Sequence, residues 1–318
     1  EVSATVPGAI GRIAFSSDAD HTDGEIYVRD FAGSSPTRLT NNAYGDLVPV
    51  WSPDGTQIAF TRDWKTMAFS SDIFVMGSDG SNPINLTNGA GTYNWMGDWS
   101  PDGFWILFVS NRSGSLALWK MHPDGSDAQM IFNDAGPESG AAWSPDGSKI
   151  AFARLSGTTS LDVWVVNADG SGEIQLTSGV AAEAQPTWSP DGSQIAYIRS
   201  AGSTGDIWRM NADGSNPVNL TGNPANVYAL FPAWAPDGSK IAAGASTQNL
   251  IDHRYCFQKI HIIDTESGEA TQLTTADGKL GNYAFSPDGK MIAYAAAFSQ
   301  EDHAVSQVFV IPTAGGEP

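Results

Sequence analysis

The sequence predicts an all-β protein, a closed ring of repeated four-stranded units, seven in number. Three observations predict it. Trp-Ser-Pro-Asp-Gly begins at Trp51, Trp99, Trp143 and Trp188, with variants at Trp234 and Phe285, so starts are 48, 44, 45, 46 and 51 residues apart. A period of about 40–50 residues suits one four-stranded β-propeller blade. The Ile that leads strand b recurs seven times, at Ile13, Ile58, Ile106, Ile150, Ile195, Ile241 and Ile292, the last six each seven residues after the start of a motif. Helical 3.6-residue periodicity is sustained nowhere.

The elements follow in order within each unit. Strand a ends in the motif aromatic. The Pro-Asp-Gly turn leads to strand b, as in Ile150-Ala151-Phe152-Ala153, whose continuous apolar run fits a sheet covered on both faces. A variable loop leads to strand c, as in Asp206-Ile207-Trp208-Arg209-Met210. A second Asp-Gly turn leads to strand d, which often ends in Leu-Thr, as at Leu86-Thr87, Leu176-Thr177 and Leu220-Thr221. Pro49, Pro186 and Pro232 each stand two residues before the motif Trp, as suits an edge strand facing the channel. The motif aspartates Asp54, Asp102, Asp146, Asp191, Asp237 and Asp288 read as turn residues rather than catalytic or metal-binding carboxylates. The triplets Asn85-Leu86-Thr87 and Asn219-Leu220-Thr221 match a glycosylation signal but fall within the strand d consensus.

The blades are set at 1–40, 41–87, 88–133, 134–177, 178–221, 222–274 and 275–318, one domain over 1–318. Six blades rank second, since a six-membered ring leaves one b–c–d set unhoused. Aligning Ile13 on Ile58 makes Val2–Val6 a degenerate strand a of blade 1, leaving blade 7 one strand short. The alternative crosses Val2–Val6 to blade 7 as its outer strand.

The pattern Trp-Ser-Pro-Asp-Gly, Ile-Ala-Phe, Asp-Ile-Trp, Asp-Gly, Leu-Thr resembles the TolB-type propeller repeat, also called PD40 or WD40-like, over nearly the whole chain. The resemblance implies the fold. It leaves function open, because the repeat occurs in a periplasmic Tol-Pal component, beside peptidase domains and in some polysaccharide lyases. The α/β domain that precedes the propeller in TolB has no counterpart here.

Charge narrows the partners. Sixteen Lys and Arg face 35 Asp and Glu, a net charge of −19, which repels nucleic acid and anionic membranes. No apolar run approaches the roughly 18 residues of a membrane span, and Glu1–Pro7 has neither the basic start nor the apolar core of a signal peptide. The single cysteine, Cys256, excludes an internal disulfide, which is compatible with a bacterial periplasm or an extracellular setting. There is no Gly-x-Ser-x-Gly elbow, His-Glu-x-x-His, P-loop or dinucleotide loop. The reading is a monomeric, non-enzymatic scaffold that binds a protein or glycan and requires no cofactor. The alternative is a propeller-type polysaccharide lyase, or another carbohydrate-active enzyme, with a metal-assisted site.

Alternate connections of an up-and-down blade emerge on opposite faces. The a–b and c–d turns are short and uniform, whereas the b–c and d–a loops are long and diverse, so one face varies and is the expected binding face. Its candidate ligand residues are Tyr44, Trp64, Tyr93, Trp95, Tyr228 and Phe231, with the acids Asp46, Glu138 and Glu183 five residues before the motif Trp and Asn94 holding that place in blade 3. An aromatic and acidic rim suits a basic or amphipathic peptide, or a sugar stacked on rings.

The b–c interval is 13 residues in blade 1, 12 in blade 5, 19 in blade 6 and 16 in blade 7, so the longest insertions sit in neighbouring blades. These loops carry His21 near Asp18 and Asp20, His253, and His303 beside Asp302, a set of imidazoles and carboxylates able to ligate Zn²⁺ or Mn²⁺, and in the blade 1 segment a partial match to a Ca²⁺ loop.

Overall fold

The computed structural model describes residues 11–17, 24–31, 35–63, 70–89, 91–133, 139–156, 160–201, 204–222, 228–246, 258–275, 280–296 and 307–316. Every regular element among them is a β-strand, and the strands form seven antiparallel blades in a ring. Blades 2 to 6 are four-stranded meanders in the order a–b–c–d. Among the described residues blade 1 contributes Arg12–Ser17, Glu25–Asp30 and Thr37–Arg38, and blade 7 contributes Leu280–Phe285, Met291–Ala296 and Gln307–Pro312. Seven blades stand as expected. Val2–Val6 lies outside the described residues.

The seven counting isoleucines are each 0% exposed. They sit at seams, because each motif aromatic packs on the blade before it. Trp51 joins Ala14, Ile26 and Val28 of blade 1, and Trp188 joins Ala151, Val163 and Val165 of blade 4. The indole also donates across the seam: Trp99 Nε1 to Val50 O at 3.2 Å, Trp188 Nε1 to Ala142 O at 3.2 Å, and Trp234 Nε1 to Thr187 O at 3.1 Å. The last seam closes the ring, with Ile13, Phe15 and Tyr27 packed on Ala293, Ala295 and Val308. Arg29 Nη1 donates to Val308 O there at 2.6 Å.

The turn reading of the motif holds. Asp54 Oδ1 accepts from Ser52 Oγ at 2.6 Å and from the Thr56 amide at 3.0 Å, and Gly55 takes φ 69°. These bonds, led by the Ser52 hydroxyl, hold its carboxyl below the usual range. The Ser bond repeats at Asp102, Asp146, Asp191 and Asp288. The Leu-Thr ending also gains a cause. Thr40, Thr87, Thr177, Thr221 and Thr274 each accept from a strand c amide through Oγ1 at 2.8–3.2 Å, which latches the short strand d onto its blade.

Strand a carries a bulge in blades 2 to 7. In four blades the residue three before the motif Trp turns left-handed there: Val48 at φ 51°, Gly140 at 70°, Gln185 at 53° and Phe231 at 53°. A β-branched or bulky residue in that region stores strain. In three of the four, a proline follows. The bulges touch, since a Cβ on Gly140 would lie 3.1 Å from Gln185 Cα.

Candidate ligand site at the channel mouth

Strand a runs from the variable face, where the d–a loop enters it, to the Pro-Asp-Gly turn on the uniform face. The bulged residues Val48, Gln185 and Phe231 sit at the middle of the innermost strand, Phe231 three residues from either end of Tyr228–Trp234. Phe231 is the one among them whose large side chain remains 45% exposed. Its backbone is held from both sides. Its amide donates to Gln185 Oε1 of blade 5 at 2.9 Å. Its carbonyl accepts from the Tyr283 hydroxyl of blade 7 at 2.6 Å. Tyr283 in turn accepts from the Gly244 amide at 2.5 Å. Burial pushes the Tyr283 phenol far up, so it stays protonated as a donor. A strained backbone fixed by three consecutive blades thus presents an open phenyl ring.

A second aromatic feature lies in blade 3, where Tyr93 and Trp95 stack with centroids 6.0 Å apart and 10° between planes. Both are half-buried. Tyr44 is half-buried, and its amide donates to Asn42 Oδ1 at 2.9 Å. Tyr228 begins strand a of blade 6 and bridges Gly205 of blade 5 in parallel.

Two of the acids expected on the rim, Asp46 and Glu183, are buried. Asp46 is 0% exposed and takes a bidentate Arg62, Nε at 2.7 Å and Nη2 at 2.8 Å, plus Asn42 Nδ2 at 2.8 Å. Glu183 is 2% exposed, with Arg199 Nε 3.2 Å away. Asn94, also 0% exposed, accepts from Arg112 at 3.2 Å and Ser110 at 2.7 Å. Asp46 and Glu183 hold arginines rather than offer charge to a ligand. Arg62, Arg112, Arg154 and Arg199 lie over Phe74, Phe108, Trp164 and Trp208 with guanidinium-to-ring distances of 4.3, 4.9, 4.5 and 4.8 Å. This collar of stacked arginines was not expected from the sequence. Three of them follow the strand b isoleucine by four residues, and two of those pair with an acid five before the motif Trp, which is the signal that could have found them.

Trp64 and Glu138 lie outside the described residues, as do His21, His253, His303, Asp18, Asp20 and Asp302. Among the described residues no three His, Cys, Asp or Glu groups come together as a metal site. A cavity of about 340 Å³ between blades 6 and 7 is lined by Lys240, Asp264, Glu269, Thr271 and Thr313. Its lining comes from the start of strand b, the end of strand c, the c–d turn and strand d of blade 6, and from residues just after strand c of blade 7.

Fold and seams define a seven-bladed β-propeller that presents an exposed aromatic, Phe231, from strand a of blade 6. Residues 128–253 match the family model described as the TolB beta propeller domain, PD40. An uncharacterized protein of Agrobacterium fabrum is 33% identical over 141 residues, 44% of this chain and 46% of that protein. A TolB homolog of Chlorobium luteolum is 27% identical over 133 residues, 40% of this chain and 28% of that protein. The chain thus matches less than half the length of either. Among solved structures, a puromycin hydrolase mutant superposes with TM-score 0.75 at 16% identity, over 99% of this chain and 52% of that one. An oligogalacturonate lyase in complex with manganese superposes with TM-score 0.70 at 14% identity, over 94% of this chain and 85% of that one. At these identities the likeness is one of fold.

Proposed function

We propose that the chain is a ligand-binding propeller of a bacterial periplasmic or extracellular protein, engaging a protein or glycan at the channel mouth on its variable face. The presentation of Phe231 carries the reading. Strain is retained where something over-determines it, and here two dedicated hydrogen bonds from neighbouring blades maintain it while the ring stays open. A clamped aromatic is a low-entropy anchor for a sugar face or an apolar side chain. Tyr93 and Trp95 would extend the contact. The net charge of −19 favours cationic over anionic partners. The test is an array of neutral, acidic and basic oligosaccharides and of peptides bearing Arg, Lys and aromatic residues. The intact protein is expected to retain a discrete set of them, and Phe231→Ala to lose that set with its melting temperature unchanged. Equal retention by both proteins would refute the reading.

A second reading is a lyase, favoured by the near full-length superposition on the oligogalacturonate lyase. His21, His253 and His303, with Asp18, Asp20 and Asp302, would hold the divalent cation there. Ultraviolet-absorbing unsaturated products from oligogalacturonate with Mn²⁺, lost in the triple His→Ala variant, would establish it. No product under those conditions leaves the binding reading.

A further inference from the structure

At the seam between blades 4 and 5 two carboxyl groups meet. Glu183 opens strand a of blade 5, and Asp162 lies near the start of strand c of blade 4. They are 2% and 1% exposed. One oxygen of each has a donor. Arg199 Nε lies 3.2 Å from Glu183 Oε1, and Gln175 Nε2 donates to Asp162 Oδ2 at 2.9 Å. The other two oxygens, Glu183 Oε2 and Asp162 Oδ1, are buried with no N–H or O–H donor. Two buried carboxylate oxygens cannot satisfy each other without a proton between them.

The repeat supplies its own controls. At the seam of blades 2 and 3 the place of Glu183 is taken by Asn94, whose Nδ2 donates to Asp72 Oδ1 at 3.4 Å, alongside Thr87 Oγ1 at 2.6 Å. At the seam of blades 1 and 2, Asn42 Nδ2 stands between Glu25 Oε2 at 3.5 Å and Asp46 Oδ2 at 2.8 Å. In blade 5, Asp206 takes Thr221 Oγ1 at 3.1 Å and Asn219 Nδ2 at 3.0 Å. Where another seam brings the two positions together, an amide supplies the hydrogen. At Glu183 and Asp162 neither side chain has one to give.

We propose that Glu183 and Asp162 share a single proton taken from solvent, with Glu183 as the donor, and that this seam is a pH-sensitive joint of the ring. The charged and titratable groups around it are few. Arg199, paired in register with Asp206, and Tyr197 come from strand b of blade 5. Arg154 lies opposite Asp162 on strand b of blade 4 and is engaged with Glu173. Burial pushes the Glu183 carboxyl up to about 7, against the pull of Arg199 and with a further push from Asp162, so the proton leaves near neutrality. Its loss puts two like charges in contact, two residues from the Gln185 that holds Phe231. The effect on ligand presentation rests on the function proposed above, whereas the shared proton does not.

Protein labelled with carbon-13 at the glutamate side-chain carboxyl tests it by NMR titration. One glutamate is expected to titrate near neutrality while the rest titrate at about 4–5, and that signal is absent in Glu183→Gln. Asp162→Asn gives the donor an amide partner and removes a charge, so the Glu183 titration is expected to move down by about one pH unit or more. Should every glutamate titrate in the ordinary range, or Asp162→Asn leave the Glu183 titration in place, the shared proton is overturned. Both outcomes are independent of whether Phe231 binds anything.

Discussion

Asp98 stands one residue before the motif Trp of blade 3, where the other described blades carry Val50, Ala142, Thr187, Ala233 and Ala284. Asp98 is half-buried, and desolvation pushes its carboxyl from the ordinary 3.8 up to about 7, offset in part by the Trp99 amide, which donates at 2.8 Å, and by the Trp143 backbone. The folded-state value lies above the unfolded one. The stability it contributes is therefore full below about pH 4 and is lost as pH rises through 7. A shift of three units is worth about 4 kcal/mol at most, of which about 3 kcal/mol falls between pH 5 and pH 8. Relaxation and water entry reduce the working figure to about 1.5 kcal/mol. Asp98→Asn keeps the acceptor for Trp99 and cannot ionise. It is expected to match the natural protein near pH 5 and to melt about 3 °C higher at pH 8, at about 2 °C per kcal/mol for a domain of this size. Melting curves of both proteins from pH 5 to pH 8 decide it. A difference between them that does not change with pH would refute the reasoning. Because only the difference is used, titration of Glu183 does not enter.

Trp143, packed among Leu107, Leu118, Ile131, Ile150, Phe152 and Val166, is expected to cost about 3–5 kcal/mol as Trp143→Ala, read by denaturant unfolding. Arg62→Ala leaves the fully buried Asp46 carboxylate without its ion partner and is expected to cost about 3–5 kcal/mol, with Arg62→Ala/Asp46→Asn recovering part of the loss in the same assay. Tyr283→Phe removes the donor to Phe231 O and the acceptor for the Gly244 amide, and is expected to cost about 1–3 kcal/mol and to speed exchange of the Gly244 amide hydrogen.

The blade count was legible because the repeat writes it seven times. An isoleucine at 0% exposure can be replaced only by something of its size, so Ile13 to Ile292 mark every strand b. Turn chemistry was legible because Ser52, Asp54, Gly55 and Thr56 are adjacent in the chain. The site was legible only in part. Phe231 stood out as an aromatic on a variable loop, but its clamp did not, since Gln185 and Tyr283 lie 46 and 52 residues away and act through side chains that strand patterns do not read. The left-handed bulge was half-legible: Pro49, Pro186 and Pro232 announce an edge strand, but nothing announces positive φ at Val48, Gln185 and Phe231. Asp46 and Glu183 read as rim acids because exposure cannot be inferred from charge alone. Their burial follows from cross-strand register with Arg62 and Arg199, which a list of loop residues does not contain.

The claim that a clamped Phe231 anchors a ligand at the channel mouth is tested most directly by calorimetric titration of the tightest array ligand into the natural protein and into Phe231→Ala. Phe231→Ala is expected to lose affinity by about tenfold or more, worth about 1.4 kcal/mol, with equal melting temperatures. Equal affinity in the two proteins would contradict it.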